Sequence, residues 1–270
     1  VLDPYRKKMS KSKGNVITPE YLMDQYSADA IRYWACKARL GADTAFDEGV
    51  FAVGQKLTTK LFNAAKFVLL QVQDQGELSI DQIVEPLDCD WMEDVYDGIN
   101  TITQAYDRFD YAAALETTEQ LFWTFCDHYI ELVKGRAYQE EDMIKRQSAC
   151  ATFLETLSIL CRLLAPVLPF ITEEVWGWRF SSNNSSIHQA IWPSKPDNKK
   201  TEHERGVFAC AKVVMNEIRA AKTQSQKSMK FPVQTLAITG TKLFETQFKL
   251  AEGDIIRAGS VGTIKFEAHA

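Results

Sequence analysis

Between Asp47 and Gln73 the apolar positions Leu57, Leu61, Ala64, Ala65, Val68 and Val72 recur at three- and four-residue intervals. That spacing is the mark of a helix burying one side, and it predicts a helix from about Asp47 to Gln73. The same period predicts helices from about Asp90 to Arg108, from Asp110 to Tyr138 and from Glu140 to Ala165, with a shorter one from Pro169 to Phe180. Start and stop signals agree. Thr18 precedes Pro19 and Glu20, Ser27 precedes a helical stretch through Leu40, and Pro166 closes the fourth long segment. A small hydroxyl side chain caps free N–H groups, and proline suits the first helical position because it has none to lose. Long helices joined by short connections pack against antiparallel neighbours, so this region reads as an up-and-down bundle.

The pattern changes after Phe180. Ser181 to Lys200 is rich in Ser, Asn and Pro and reads as a loop. Beyond it come a helix from about Thr201 to Thr223, an alternating strand from Val233 to Thr239, a short helix from Thr241 to Leu250 and a strand from Thr263 to Ala268. The fold class is therefore mainly α, an antiparallel helical bundle with a small C-terminal α+β domain. Three segments are expected: residues 1–45, 46–195 and 196–270.

Composition narrows the partners. No apolar run approaches the roughly twenty residues that span a bilayer, and no signal peptide opens the chain, so a cytoplasmic protein with no membrane partner is expected. The six cysteines form no Cys-x-x-Cys pair, which suggests neither metal nor disulfide framework. The net charge of −5 hides a strong division. Eight acids and no Lys or Arg lie between Glu77 and Asp97, a stretch expected to form an acidic loop facing away from phosphate. Basic segments lie at the opening loop, at Lys56, Lys60 and Lys66, and from Lys212 to Lys230. Nucleic-acid affinity depends on the phosphates contacted, so a basic track suffices.

The opening run Arg6-Lys7-Lys8-Met9-Ser10-Lys11-Ser12-Lys13-Gly14-Asn15 holds five cations within eight residues and no acid. Flexible ammonium groups interleaved with hydroxyl and backbone donors suit a polyphosphate whose charge shifts during cleavage. Lys8-Met9-Ser10-Lys11-Ser12, continued by Lys13-Gly14-Asn15-Val16 and by Tyr26-Ser27-Ala28-Asp29-Ala30-Ile31-Arg32, resembles the signature loop of class I aminoacyl-tRNA synthetases and its extension in the valyl, leucyl and isoleucyl group. Leu40-Gly41-Ala42-Asp43-Thr44-Ala45-Phe46, Lys60-Leu61-Phe62-Asn63-Ala64-Ala65-Lys66-Phe67 and Phe125-Cys126-Asp127-His128-Tyr129-Ile130-Glu131 resemble the valyl branch. Leu164-Ala165-Pro166-Val167-Leu168-Pro169-Phe170-Ile171-Thr172-Glu173-Glu174-Val175-Trp176 resembles a segment shared by the group.

The resemblance implies an ATP-dependent ligase that joins valine to tRNA(Val) through valyl-adenylate, with Mg2+ accompanying ATP. In it, Lys8 and Lys11 are the catalytic candidates, and Lys8, Ser10, Lys11 and Ser12 would hold the ATP phosphates. The helical bundle would be the anticodon-binding domain. Lys66 and Phe67 are the first candidates for the anticodon stem-loop, followed by Tyr129, Ile130, Lys134 and Arg136. No metal site is implied, and a monomer is expected. The family also needs a nucleotide-binding core with a His-x-Gly-His signature, and the four histidines, His128, His188, His203 and His269, do not supply it. The chain is therefore expected to be the C-terminal part of a longer enzyme, inactive in catalysis alone and without bound ATP, its opening loop disordered or held by its neighbours. Two alternatives remain: an isoleucyl or leucyl enzyme, and a non-catalytic helical module that binds RNA or protein.

Overall fold

The computed structural model describes residues 1–139, 142–196 and 204–268. Ten α-helices and two strands follow one another among the described residues: α1 Pro19–Met23, α2 Ala28–Lys37, α3 Glu48–Val72, α4 Pro86–Asp107, α5 Tyr111–Thr124, α6 Ile130–Gln139, α7 Met143–Leu164, α8 Pro169–Arg179, α9 Val207–Gln224, β1 Val233–Gly240, α10 Lys242–Gly259 and β2 Val261–Ala268. The mainly helical class with a small α+β appendage is the one expected from the pattern. The expected starts of two helices, at Glu140 and Thr201, lie outside the described residues, as do His203 and His269.

Three elements differ from expectation, each for a local reason. The third bundle helix is interrupted by a π-helical turn, Phe125–Tyr129, that joins α5 to α6. Helix α4 begins at Pro86 rather than Asp90, so only residues 77–85 of the acidic stretch form a loop, with Glu77 and Asp81 exposed, whereas Asp88 and Asp90 are buried in the helix. Helix α10 runs to Gly259, well beyond Leu250, because Phe248, Ala251 and Ile255 continue a buried stripe at helical spacing. The strands it joins are parallel, with Val233 opposite Val261 and Ile238 opposite Phe266. A parallel pair needs such a crossover.

The chain forms two compact units. The first comprises residues 1–69, 97–122 and 157–195, and the second residues 70–96, 123–156 and 196–270. In the first, Leu22, Phe46 and Phe51 form a core joined by Met9, Ile17, Tyr26, Ile31 and Trp34. Two motif residues of α2 fix α8. The Asp29 carboxylate accepts from the N–H groups of Phe170 (3.2 Å) and Ile171 (2.8 Å), capping α8 from a distance, and burial raises its pKa against those hydrogen bonds. Arg32 donates to the carbonyls of Val167 (3.2 Å) and Pro166 (2.9 Å), groups left unpaired where α7 stops. Glu119 accepts from the Tyr33 hydroxyl and the Lys37 ammonium, each at 2.7 Å.

The second unit is organised around a buried arginine. Arg136 grips Asp88 with two N–H groups at 2.8 and 2.7 Å and donates its Nε to Asp254 at 2.9 Å. Asp88 also accepts from the hydroxyls of Tyr129 (2.7 Å) and Ser148 (2.6 Å). Ser148 in turn accepts from the backbone N–H groups of Val84 and Glu85, which precede α4. One guanidinium thus ties α4, α6, α7 and α10. Against it lies an aromatic stack: Trp91 is parallel to Tyr129 at 5.1 Å and meets the edge of Phe208 at 5.0 Å. Asp90 reaches α9, accepting from Gly206 N (3.2 Å) and Phe208 N (2.8 Å) at its first turn.

Buried ion pairs add little over a well-packed apolar substitute, but removing one partner strands a charge. Arg136→Met is therefore expected to destabilise the protein by about 3–5 kcal/mol in urea unfolding, by the usual cost of breaking a buried pair. Arg136→Lys should recover only part of that loss, because an ammonium cannot serve two carboxylates through a planar fork.

Candidate phosphate loop and nucleic-acid interface

The basic opening loop is held from below while its cations face outward. Leu2 pairs with Lys8 and Ala45 through single bridges. Asp3 accepts from the backbone N–H groups of Tyr5 (3.0 Å) and Lys7 (2.8 Å). Asn15 acts as a clasp. Its amide donates to Asp3 Oδ2 (2.9 Å) and to the Lys8 carbonyl (3.3 Å), and its oxygen accepts from Ser10 N (2.9 Å). An amide side chain offers two donors and an acceptor together. Between the clasp points, Lys11–Lys13 forms a single 3-10 turn that ends in Gly14 at φ 66°, a left-handed conformation glycine adopts without strain. Met9 packs on the Phe46–Phe51 core.

The result is a loop with one apolar anchor and exposed ammonium groups. Lys8 and Lys11 are exposed, and no described carboxylate pairs with either. The hydroxyls of Ser10 and Ser12 hydrogen-bond to each other at 2.7 Å. Of the two sequence expectations for this loop, being held by its neighbours is the one that matches the geometry.

The RNA candidates divide between the units. Lys66 and Phe67 lie in the first, on α3. Lys66 is exposed and its ammonium sits 4.8 Å from the centre of the Phe62 ring, which in turn meets Trp178 edge-on at 5.2 Å. Phe67 is half-buried, whereas Asn63 and Lys56 are exposed on the same helix. Residues 56, 59, 63 and 66 recur at helical spacing, so Lys56, Thr59, Asn63 and Lys66 form one exposed polar stripe. Phe62 was not singled out from the sequence, although its place four residues before Lys66 was a readable signal for a cation over a ring.

The second-unit candidates need correction. Tyr129 and Arg136, expected as RNA contacts, are 0% and 2% exposed and spend their polar atoms on Asp88 and Asp254. Burial and the neighbouring Asp88 carboxylate push the Tyr129 phenol well above its ordinary pKa. Ile130 is also buried. These three build the interior, leaving nothing for a nucleotide to touch. Lys134 is half-exposed and pairs with Glu131 at 2.7 Å.

The family model described as the anticodon-binding domain of tRNA ligase matches residues 92–237. The model described as tRNA synthetases class I (I, L, M and V) matches residues 1–47. Among curated relatives, a valine–tRNA ligase of Thermobifida fusca is 41% identical over 99% of this chain and 30% of its own length. A valine–tRNA ligase of Leifsonia xyli is 40% identical over 100% of this chain and 31% of its own. The chain therefore spans about 30% of the length of the relatives it matches. Among solved structures, the LeuRS of Agrobacterium radiobacter K84, in a ternary complex with tRNA and LeuAMS, shares the fold at TM-score 0.58 and 20% identity, covering 71% of this chain and 22% of that one.

Asp3 offers a direct check of the clasp. Hydrogen bonds from the Asn15 side chain and the Lys7 backbone hold its pKa below the ordinary carboxylate value. A depressed carboxylate pKa means that the clasp is complete above the unfolded value of about 3.9 and is lost as pH falls through the lower, folded one. Asn15→Ala should move the Asp3 titration up toward that of an unperturbed aspartate, read from its side-chain carboxyl shift by NMR, and should speed amide exchange at Ser10.

Proposed function

We propose a function that proceeds from one fact: the chain belongs to the family of anticodon-binding domains of tRNA ligases. It is the anticodon-recognising and signature-loop portion of a valine–tRNA ligase, the enzyme that joins valine to tRNA(Val) with ATP by way of valyl-adenylate. The observation that carries this reading is the conjunction of about 40% identity along essentially the whole chain with an intact basic loop whose two motif ammonium groups face outward. A LeuRS likeness at 20% identity bears on the fold alone.

In this reading the clasped loop presents Lys8 and Lys11 to the ATP phosphates, with the Ser10 and Ser12 hydroxyls as further donors. Bound ATP would supply the anhydride whose cleavage drives adenylate formation, with Mg2+ as its accompanying cation neutralising phosphate charge. The chain's own contribution is electrostatic: exposed point charges on flexible stems, with no described carboxylate pairing with them, follow the phosphate charge as it moves. Residues 46–195 read the anticodon stem-loop. The exposed stripe of α3 serves as the contact, with Lys66 as cation, Asn63 as base-edge donor or acceptor, and Phe67 as the stacking surface. Tyr129, Ile130 and Arg136 hold the interior and are not contacts. The ligase works in the cytoplasm as a monomer; no helix among the described residues is long and apolar enough to cross a membrane.

Two measurements test the reading. Lys66→Ala should weaken binding of a tRNA(Val) transcript to this chain and lower its log–log salt slope by about 0.7, one single-strand phosphate contact. An unchanged slope and affinity would remove α3 from the interface. In the full-length ligase, Lys11→Ala should cut valine-dependent ATP–pyrophosphate exchange by about 10²–10³-fold, the usual loss for one preorganised donor.

A further inference from the structure

The basic segment that begins at Lys212 has no part in the reading above. Between Lys212 and Phe231 lie five cations, Lys212, Arg219, Lys222, Lys227 and Lys230, against the single acid Glu217. Lys212 and Arg219 are seven residues apart on α9, hence on one face. The helix ends at Gln224, and the chain then turns back through Gln226 at φ 55° to enter β1 at Val233. Every residue from Thr223 to Pro232 is exposed.

An exposed turn of this kind is ordinarily loose, yet this one is fastened at its base. The Lys222 side chain is buried and donates to two backbone carbonyls, Met229 and Gly259, each at 2.8 Å. Lys227 N donates to Lys222 O (2.8 Å), Gln226 N to Thr223 O (2.9 Å) and Phe231 N to Ser228 O (3.0 Å). Burying an ammonium is costly, and desolvation draws the Lys222 pKa below that of an ordinary lysine. What the fastening keeps in place is a set of side chains turned to water. Met229 and Phe231 are 49% and 46% exposed, and the Lys227 ammonium lies 5.0 Å from the centre of the Phe231 ring. An aromatic ring with a cation on one side, a second lysine beside it and no nearby acid in the turn has the chemistry of a single-strand platform: a base stacks on the ring and cations take the flanking phosphates.

We propose that the turn 225–231 is a second RNA contact of this protein, in which Phe231 stacks an unpaired base while Lys227 and Lys230 hold adjacent phosphates, with Lys212 and Arg219 extending the positive face along α9. The proposal rests on the reading of the chain as a tRNA-binding part. It adds a contact outside the α3 stripe and a partner chemistry, single-stranded RNA, for a segment otherwise without a role.

The test uses the full 270-residue chain and a tRNA(Val) transcript, with anisotropy followed across a salt series. The double variant Lys227→Glu/Lys230→Glu should bind at least about tenfold more weakly at low salt, with the log–log slope reduced by about 1.4, two single-strand phosphate contacts. Phe231→Ala should lose at least about fivefold with a slope close to that of the unaltered chain, since stacking carries no counterion release. All three side chains are exposed, so thermal melting should not change. If the unaltered chain fails to bind the transcript at all, the tRNA reading falls and this proposal with it. If the chain binds, Lys66→Ala weakens it, and both turn variants match the unaltered affinity and slope, the turn is no RNA contact and its charge serves another partner, such as an acidic protein surface.

Discussion

The second unit depends on one charge, the Arg136 guanidinium. A buried arginine cannot lose its proton, so its neighbourhood must be built to suit it. Two carboxylates, Asp88 and Asp254, approach from different helices, and Asp88 is itself completed by Tyr129 and Ser148. Each of these partners fixes the rotation of its own helix about its axis, since a change of one residue in phase would carry the side chain about 100° away. Apolar packing around the buried Trp91 is non-directional, whereas the polar hub makes one arrangement of α4, α6, α7 and α10 better than its neighbours in register. That hub accounts for one of the acids within α4, and the cap on α9 for another. Asp88 and Asp90 answer cations and helix ends inside the protein instead of repelling RNA outside it.

Each unit also uses a related device. Asp29 and Asp90 each place a carboxylate on the first turn of a helix distant in sequence, α8 and α9 respectively. Glu173 does the same for a short turn, accepting from Ile187 N and the Ser186 hydroxyl at 2.9 Å each. The motif residues Asp29 and Arg32 thereby meet the segment around Pro166 and Phe170, so two stretches read separately as family signatures form one joint.

How much of this was legible depended on the length scale of the signal. The helix of Leu57, Leu61 and Val68 and the caps at Ser27 and Asp110 are local patterns, and they appear where the pattern put them. Lys8 and Lys11 could be nominated from spacing alone. What keeps them exposed could not, because the clasp joins Asp3 to Asn15 across the loop and no periodicity reports it. Tyr129 and Arg136 misled for the opposite reason. On a helix an aromatic and an arginine seven residues apart look alike whether they face RNA or an interior carboxylate, and the deciding partner, Asp88, lies more than forty residues earlier. The π-helical turn was equally hidden, as nothing in Phe125 to Tyr129 breaks the apolar period.

The small sheet has a consequence for the order of events in time. Val233 pairs with Val261, so β1 waits for an entire helix to be made before its partner exists. During synthesis on the ribosome, β1 therefore emerges with Leu236 and Ile238 and no strand to pair with, while α10 can begin to pack on α9 as soon as it is complete. The topology lets α10 pack before the sheet can pair. A chain lacking the residues from Val261 onward would carry β1 as an orphan strand, so the pairing of this sheet depends on α10 and β2 together.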